Sequence, residues 1–224
     1  GIKPTYKVVR INVGAEKRHR FGVVADTHLG SNWQQISYLN HFYDSCSSEG
    51  IDTVYHVGDW SDGDYADKRK EHRFETFVHG ADENINYIST VYPRRKGIRT
   101  KGISGNHDDT FLVHGCNILN HISRIRDDIE CLGRGECIVS FGDNFQMDLF
   151  HPNDMGSYKN LSGKLSGIIE SKKRENINTG LVFVGHYHKS LYMFYDGVHG
   201  FFVPSFTALT PWAKRKSLIY TVGT

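Results

Sequence analysis

Short apolar runs that each end on a polar motif constrain this chain more than any other feature of its sequence. Such runs, rich in β-branched and aromatic residues, are typical of buried strands. Loops at strand ends hold side chains in fixed directions, so the polar residues that follow suit chemistry rather than packing. In chain order the motifs are Asp26-Thr27-His28, Gly58-Asp59, Gly105-Asn106-His107-Asp108, His151 and Gly185-His186-Tyr187-His188. The pattern therefore predicts a functional site at the ends of successive strands.

The order of elements near the start of the chain indicates the fold class. Residues 21–25 and 53–57 are apolar runs that predict two central strands. Between them, apolar residues at helical spacing from 36 to 46 predict a helix that Ser31 or Asn32 would cap. A strand, a helix and a second strand form a βαβ unit, so the sequence predicts an α/β (α+β) fold.

Further helices and strands follow from the same two periodicities. Helices are predicted at residues 71–79, 82–92, 111–126 and 158–174. Strands are predicted at residues 6–13, 99–103, 136–141, 145–150, 181–184, 191–195, 199–203 and 218–222. The sequence shows no internal repeat or linker, so we expect one domain over residues 1–224. Its helical region around 64–92 would govern the choice of substrate.

Composition and charge narrow the classes of partner. Of the 224 residues 38% are hydrophobic and 23% charged, and the formal net charge of +2 is too small to imply a nucleic-acid partner by itself. No apolar run approaches the roughly 20 residues of a membrane span, so no membrane partner is expected. The four cysteines form no CxxC pair, which indicates reduced thiols of a cytoplasmic protein; a disulfide between two of them is the alternative.

The motif residues are of the types that bind divalent cations. Carboxylate, amide and imidazole groups are ligands for hard and borderline metals. Asp26 and His28, like His186 and His188, are separated by one residue, so in an extended segment both members of each pair would point to the same side. Asp59 could then bridge two ions about 4 Å apart, an arrangement that activates water and clamps a phosphate. No cysteine belongs to the set, which argues against a structural zinc site.

Together these motifs resemble the signature of a known superfamily, the calcineurin-like metallophosphoesterases. The matching residues are Asp26-x-His28, Gly58-Asp59-x-x-Asp62, Gly105-Asn106-His107-Asp108, His151 and Gly185-His186-x-His188. The resemblance implies a four-layer β-sandwich of two mixed sheets flanked by helices, with a dinuclear metal centre at the strand ends. It also implies two divalent metal ions as cofactors, with manganese favoured over iron, zinc or magnesium.

The resemblance further implies a role for each motif residue. The first metal would be held by Asp26, His28, Asp59 and His188, and the second by Asp59, Asn106, His151 and His186. His107 would not bind metal but would act as the acid that protonates the leaving oxygen. Asp62 would orient this imidazole and keep it cationic, since a nearby carboxylate favours the charged form.

Details of the motifs are similar to the nuclease branch that includes Mre11 and SbcD, and to related phage phosphoesterases. The similarity lies in Asp26-Thr27-His28-Leu29-Gly30 and in Asp108, which follows the motif histidine. Protein serine/threonine phosphatases carry Arg and Glu where this chain has Gly63 and Asp108. The flanks typical of the second and third motifs of the nuclease branch are absent, which leaves nuclease and small-molecule phosphodiesterase activities both open.

A basic segment near the end of the sequence is the candidate substrate contact. Trp212, Lys214 and Arg215 combine an aromatic ring with cations, which suits a stacked base and a phosphate backbone. The alternative is an exposed turn with Trp212 in the core. The sequence thus predicts a metal-dependent phosphodiesterase that favours DNA. The alternatives are a phosphodiesterase or phosphatase for nucleotides or other small phosphoesters, and a non-catalytic nucleic-acid-binding subunit.

Overall fold

Two β-sheets form the centre of the molecule. The computed structural model describes residues 7–11, 18–67, 69–154 and 160–223. Within them the strands are β1 (Lys7–Ile11), β2 (Gly22–Val24), β3 (Thr53–Val57), β4 (Arg99–Ser104), β5 (Ile129–Arg134), β6 (Glu136–Phe141), β7 (Gln146–Phe150), β8 (Thr179–Val184), β9 (Leu191–Tyr195) and β10 (Val198–Phe202). One sheet is parallel in the order β2-β3-β4-β5, and the other is mixed in the order β1-β6-β7-β8-β10-β9.

Helices cover the outer faces of both sheets. They are α1 (Ile36–Ser48), α2 (His72–Glu75), α3 (Ala81–Val91), a 3₁₀ helix (Asp108–His114), α4 (Ile118–Ile125), α5 (Leu161–Glu175) and α6 (Pro211–Arg215). Apolar side chains of α1, α3 and α4 pack on the parallel sheet. Leu165 and Ile169 of α5 pack on the mixed sheet. A third apolar cluster, which includes Tyr55 and Val139, lies between the sheets. The four layers confirm the predicted sandwich, although the smaller sheet is parallel rather than mixed.

The strand register brings the ends of the central strands together. In the parallel sheet Val57 of β3 lies beside Ile103 of β4, and in the mixed sheet Phe150 of β7 lies beside Val184 of β8. Between the two sheets, His151 Nδ1 lies 2.7 Å from the carbonyl oxygen of Val57. Each polar motif follows its strand directly, so the motifs emerge at the same end of the sandwich.

The start of α1 differs from the prediction. Neither Ser31 nor Asn32 caps this helix; Gln35 occupies the N-cap position and makes no side-chain capping bond. Ser31 instead forms an isolated bridge with Thr76, and the Asn32 N–H donates to the carbonyl of Glu75 at 2.9 Å. The two residues that were predicted to cap the helix thus join the loop after β2 to the end of α2.

The same pairing shortens the helix predicted at 71–79. Only α2 is helical there, because Thr76 adopts an extended conformation and pairs with Ser31. The next residue, Phe77, donates its N–H to the carbonyl of Gly30 at 2.9 Å. Backbone bonds to the loop after β2 therefore replace the helical bonds that periodicity predicts.

The helix predicted at 111–126 is two helices. The 3₁₀ helix ends at Gly115, whose φ of 72° is left-handed, and α4 begins after Asn117, whose side chain accepts a hydrogen bond from the Asn120 N–H. The sequence does not predict β5, because this edge strand shows no regular alternation of buried and exposed residues. Helix breaks and irregular edge strands of this kind give only a weak signal in the sequence periodicity.

The strand predicted at 218–222 is wrong except at Val222, which forms a single bridge with Ser205. After α6 the chain turns at Ser217, whose φ is 56°. The N–H of Thr221 then donates to the carbonyl of His188 at 2.8 Å. The segment that was predicted to extend a sheet is therefore held against a polar motif.

Some predicted residues lie outside the described ranges, namely 6, 12–13 and 158–159. The described part of the last long helix, α5, begins at Leu161, where the Asn160 side chain accepts a hydrogen bond from the Gly163 N–H. In the described structure the four cysteines form no disulfide with one another. Among the described residues, no helix has both the length and the apolar composition that crossing a bilayer requires.

Candidate metal centre and active site

The strand-end motifs bring the predicted ligand side chains together in a mostly buried cluster. Asp26 and Asp59 are fully buried, as are the rings of His28 and His151. Asn106 and His186 are half-buried. Three groups of potential ligand atoms converge here: Asp26 with His28 and His188, Asp59 with His151 and His186, and His28 with Asp59 and His107. The cluster therefore opens to solvent on the side of Asn106, His107 and His186.

The first group of ligand atoms comes from the loops after β2 and β8. His28 Nε2 lies 3.1 Å from His188 Nε2, and His188 Nε2 lies 3.5 Å from Asp26 Oδ1. His28 Nε2 also lies 4.0 Å from Asp26 Oδ1 and 3.8 Å from Asp59 Oδ2. The three atoms of the first group and Asp59 Oδ2, from the loop after β3, can face a single cation.

The second group comes from the loops after β3, β4, β7 and β8. His151 Nε2 lies 3.2 Å from Asp59 Oδ2 and 3.0 Å from Asn106 Oδ1. His186 Nδ1 lies 2.8 Å from the same Asn106 oxygen. Asp59 Oδ2 thus borders both groups, as expected of a carboxylate shared by two ions.

The backbone at five of the seven predicted ligands is left-handed, not extended. The φ angles are 52° at Asp26, 42° at His28, 57° at Asp59, 79° at His186 and 51° at His188. The pairs 26/28 and 186/188 therefore converge through tight turns, which corrects the prediction from strand alternation. Left-handed conformation costs a non-glycine residue about 1 kcal/mol or more. Hydrogen bonds between loops, such as Asp26 N–H to the Gly58 carbonyl at 3.0 Å, help to offset this cost.

Two motif glycines allow the close approach of the loops. A Cβ atom at Gly105 would overlap the Asp59 side chain, and one at Gly58 would overlap the His151 ring. Gly58 also has a φ of 84°, which favours glycine. The glycines of these motifs are therefore part of the geometry of the cluster.

Hydrogen bonds at the outer nitrogens set the tautomers of three candidate ligand histidines. His28 Nδ1–H donates to Asp62 Oδ1 at 2.8 Å, and His151 Nδ1–H donates to the Val57 carbonyl at 2.7 Å. His186 Nε2–H donates to the carbonyl of Asp154 at 2.9 Å. The other nitrogen of each neutral ring then presents a lone pair to the cluster, as in metal-binding histidines.

The cluster fits a bound cation. Asp59 Oδ2 is buried, and among the described residues it has no hydrogen-bond partner. The lone pair of His28 Nε2 faces His188 Nε2 at only 3.1 Å, which is favourable only with a proton or a cation between the two. The donor set of nitrogen and oxygen atoms suits divalent metals such as manganese, iron and zinc.

Electrostatics favour positive charge in the cluster. Burial opposes a charged His28, but the Asp62, Asp59 and Asp26 carboxylates outweigh it and raise the pKa of His28 to about 9. Burial likewise opposes charge on His151, yet Asp59 and Asp26 raise the pKa of His151 to about 10. Without cations these rings hold protons, which a metal would displace.

The contacts of Asp62 and His107 differ from the prediction. His107 Nδ1–H donates to the main-chain carbonyl of Asp62 at 2.7 Å, while the Asp62 carboxylate lies 3.9 Å away. That carboxylate instead accepts from His28 Nδ1 and, at 3.1 Å, from His72 Nε2. Burial lowers the pKa of His107 to about 4 although Asp59 opposes the shift. Asp62 thus orients His107 through its main-chain carbonyl, and although Asp62 also favours the charged ring, burial outweighs it.

Several residues of the site are outside the sequence prediction. His72 has no partner at ligand spacing in the sequence, yet it binds Asp62. Tyr65 Oη bonds the Asn106 side chain at 2.9 Å. Asp108 accepts hydrogen bonds from the main-chain N–H groups of Gly105 and Ser61, both at 2.9 Å, and so fixes the turn after β4. Since loops lack periodicity, the sequence carries no signal for His72 or Tyr65.

The predicted substrate contacts lie on α6, which contacts α2 and the loop before it. The half-buried Trp212 ring is covered by the Arg69 guanidinium, 4.8 Å from the ring centroid. The main-chain N–H of Trp212 donates to Glu75 Oε1 at 3.2 Å. Lys214 and Arg215 are exposed. One face of the indole is therefore covered by Arg69. Trp212 contacts α2 and the loop before it, which is neither the base-stacking position nor the core position that the sequence predicts.

Another aromatic of the C-terminal segment reaches the centre. The ring of Tyr220 lies 4.2 Å from that of His188, centroid to centroid. Its position follows from the bond of the neighbouring Thr221 N–H to the His188 carbonyl. Tyr220 is thus the aromatic side chain that borders the cluster from this direction.

Comparison with solved structures finds distant similarity. An archaeal phosphodiesterase is 16% identical, with a TM-score of 0.48 over 81% of this chain and 81% of that chain. The Pseudomonas putida nuclease MPE is 15% identical, with a TM-score of 0.41 over 84% of this chain and 75% of that chain. Vps29 of Entamoeba histolytica in complex with zinc is 14% identical, with a TM-score of 0.41 over 83% and 73%.

No curated protein matches the chain significantly. The family model of the calcineurin-like phosphoesterases matches residues 19–194. The match covers most of the chain and includes every strand-end motif described above. The chain belongs to the calcineurin-like phosphoesterase family.

Proposed function

We propose that the protein is a metal-dependent phosphodiesterase that uses two divalent cations. The observation that carries this proposal is the position of Asp59 Oδ2, which lies 3.8 Å from His28 Nε2 and 3.2 Å from His151 Nε2. A buried carboxylate between two groups of lone-pair donors is suited to bridge two ions. The first group would hold one cation and the second group the other, with manganese favoured for both.

The substrate would bind where the cluster opens to solvent. Bound cations would lower the pKa of a water molecule and neutralise the charge that develops on the phosphoryl oxygens. The chain itself excludes water behind this centre, because Asp26, Asp59 and the His151 ring are buried. This leaves the side of His107 and Asn106 for the phosphoester.

His107 is the proposed proton-transfer group. Its Nδ1–H is held by the Asp62 carbonyl, so Nε2 is the atom that can exchange a proton with the leaving oxygen. The imidazole is 23% exposed, and its Nε2 lies 4.0 Å from Asp59 Oδ2, at the edge of the cluster. Loss of this group should reduce turnover rather than metal binding, because its Nε2 would serve the leaving oxygen and not a cation.

Nucleic acid is the proposed substrate class. Exposed cations occupy two segments in contact with each other, one around α2 and the other at the end of α6; they are Lys70, Arg73, Lys214, Arg215 and Lys216. Within the described part of the chain none of them has an ion-pair partner. The exposed Phe74 ring lies on the same α2 segment. Unpaired cations with exposed aromatic surface suit a phosphate backbone and its bases.

A nucleotide or another small phosphoester, cleaved by a phosphodiesterase or phosphatase activity, is the second candidate. Exposed Asp67 and Glu71 alternate with Lys70 and Arg73, which weakens the attraction of this segment for a polyanion. Tyr220 borders the first group directly and could contact a single base or aromatic substituent. A substrate of this size would need only the centre and its rim.

A cleavage assay separates these proposals. Metal-stripped protein would be supplied with Mn²⁺ and given end-labelled single- and double-stranded DNA and, separately, bis-p-nitrophenyl phosphate. We expect wild type to cut both kinds of substrate, and Asp59→Asn to cut neither. Cleavage of the small diester alone would contradict the nucleic-acid proposal, and no metal-dependent cleavage of any diester would contradict the phosphodiesterase.

A pair of variants tests the proposed DNA contacts. Lys214→Ala combined with Arg215→Ala should reduce DNA cleavage about tenfold at low salt, with little change for bis-p-nitrophenyl phosphate, because the lost contacts are to distant phosphates. Lys96→Ala is the matched control, since Lys96 is an exposed cation before β4, away from the strand ends that carry the motifs. Equal loss on both substrates would show that α6 supports the fold rather than DNA binding.

A further inference from the structure

Tyr65 contacts Asn106 of the second ligand group and His72, which is linked to the first group through Asp62. It lies in the loop after Asp62 and outside the family motifs. Its half-buried ring packs edge-on against His107, with centroids 4.8 Å apart, and against His72, with centroids 5.7 Å apart. The ring is therefore held between two imidazoles, which fixes the directions of its hydroxyl and its main-chain N–H.

The hydroxyl of Tyr65 determines which end of the Asn106 amide faces the centre. Tyr65 Oη donates to the main-chain carbonyl of Asn106 at 3.3 Å. The hydroxyl proton is thus used, and Oη accepts from Asn106 Nδ2 at 2.9 Å. The two ends of an amide have nearly the same shape, so such hydrogen bonds decide its orientation. The Asn106 oxygen is left to point into the second group.

If the Asn106 amide were reversed, with Nδ2 in the place of Oδ1, the second group could not bind a cation. Asn106 Oδ1 lies 3.0 Å from His151 Nε2 and 2.8 Å from His186 Nδ1. When both rings are neutral, as cation binding requires, these two nitrogens present lone pairs, because the single proton of each ring is bound by a main-chain carbonyl. With the amide reversed, Nδ2 would donate hydrogen bonds to these nitrogens and satisfy them without metal. The Tyr65 hydroxyl opposes this state.

The main-chain N–H of Tyr65 acts on the first group. It donates to His72 Nδ1 at 3.3 Å, so that nitrogen is an acceptor and His72 carries its proton on Nε2. His72 Nε2–H then donates to Asp62 Oδ2 at 3.1 Å. The other oxygen of Asp62 accepts from His28 Nδ1–H at 2.8 Å, which leaves the lone pair of His28 Nε2 for the first group.

We propose that Tyr65 is a positioning residue of the metal centre. Its hydroxyl selects the metal-binding orientation of Asn106, and its main-chain N–H fixes the tautomer of His72 and, through Asp62, that of His28. The inference rests on the proposed dinuclear function and adds to it a residue that binds no metal but decides whether the second cation can bind.

Tyr65→Phe tests the role of the hydroxyl. The variant keeps the ring and the main-chain N–H, so the first group should bind its cation as in wild type. The affinity of the second cation should fall about 10- to 100-fold, the usual effect of losing a group that orients a metal ligand. Mn²⁺ is titrated into metal-stripped protein, and both binding steps are measured by calorimetry and by the electron paramagnetic resonance signal of the free ion. Thermal melting of the metal-free proteins checks that the variant is folded.

The decisive test repeats Tyr65→Phe in a chain that also carries Asn106→Asp. Both ends of a carboxylate are oxygen, so an aspartate at this position needs no selection of orientation. Tyr65→Phe should therefore weaken the second cation at least tenfold with Asn106 present, but less than about twofold in the Asn106→Asp chain. An equal loss in both backgrounds, or none in either, would overturn the proposal. Wild type that binds only one Mn²⁺ would overturn the dinuclear function itself, an outcome visible before any variant is made.

Discussion

The two ligand groups of the centre are oriented by different parts of the chain. In the first group, His28 is held by the side chain of Asp62, which is in turn held by His72. In the second, His151 and His186 are held by the main-chain carbonyls of Val57 and Asp154. A main-chain carbonyl remains when the side chain of its residue is substituted. The second group should therefore tolerate substitutions of the residues that hold its histidines, whereas the first group should not.

The largest expected effect is that of Asp62→Ala. It removes the acceptor of His28 Nδ1–H and leaves the His72 proton unbound in a buried position, so the affinity of the first cation should fall about 100-fold, at the upper end of the range for such partners. The second cation should change little, because its histidines do not contact Asp62. Stepwise Mn²⁺ titration measures both. If both steps weakened equally, the separation of the two groups would be wrong.

The pH dependence of metal binding should be shared by the two groups. In the metal-free protein the pKa of His28 is raised to about 9 and that of His151 to about 10, so both rings are protonated at neutral pH. Each cation must displace one of these protons, and its affinity should therefore rise about tenfold per pH unit between pH 6 and 8. Calorimetry in buffers of different ionisation enthalpy should show about one proton released per cation. No proton release would contradict the raised pKa values.

A smaller effect, about tenfold on the first cation, is expected for His72→Leu. The leucine fills the volume of the ring but cannot donate to Asp62 Oδ2. His72→Gln is the matched variant, since its amide can place an N–H where Nε2 of the imidazole lies. Mn²⁺ titration of the two variants should show recovery with glutamine. If leucine and glutamine weakened binding equally, His72 would serve packing alone.

The smallest effect is expected for Asp154→Ala, the counterpart of Asp62→Ala in the second group. The carboxylate of Asp154 binds Lys164 and Tyr187, while its carbonyl holds His186. Removing the side chain should change the affinity of the second cation by less than about threefold. A loss as large as that of Asp62→Ala would show that the loop geometry, and not the carbonyl alone, depends on this side chain.

The strand ends are the part of the site that sequence predicts well. Apolar runs such as 53–57 are strands because they are buried on both faces, and in parallel neighbours the residues that follow must emerge together. The structure brings the predicted ligand side chains into one cluster for this reason. That these residues hold metal stays a prediction.

The loops around the cluster could not be predicted, because their conformation depends on contacts between segments far apart in the sequence. The left-handed φ angles of Asp26 and His188 leave no periodic signal. The partners of Asp62 and the orientation of Asn106 depend on His72 and Tyr65, which reach the centre from an irregular segment. For the same reason the helix expected at 71–79 is interrupted and the last strand is replaced by a segment bound to His188.

The central claim is that Asp59 is shared by two cations, and Mn²⁺ binding to wild type and Asp59→Asn tests it most directly. The account predicts that wild type binds two ions per chain and gives the electron paramagnetic resonance spectrum of an exchange-coupled pair. Asp59→Asn keeps the shape of the side chain but loses its charge and one oxygen, so it should lose the coupled spectrum and bind at least one ion much more weakly. Two tightly bound, coupled ions in Asp59→Asn, or a single ion in wild type, would contradict the account.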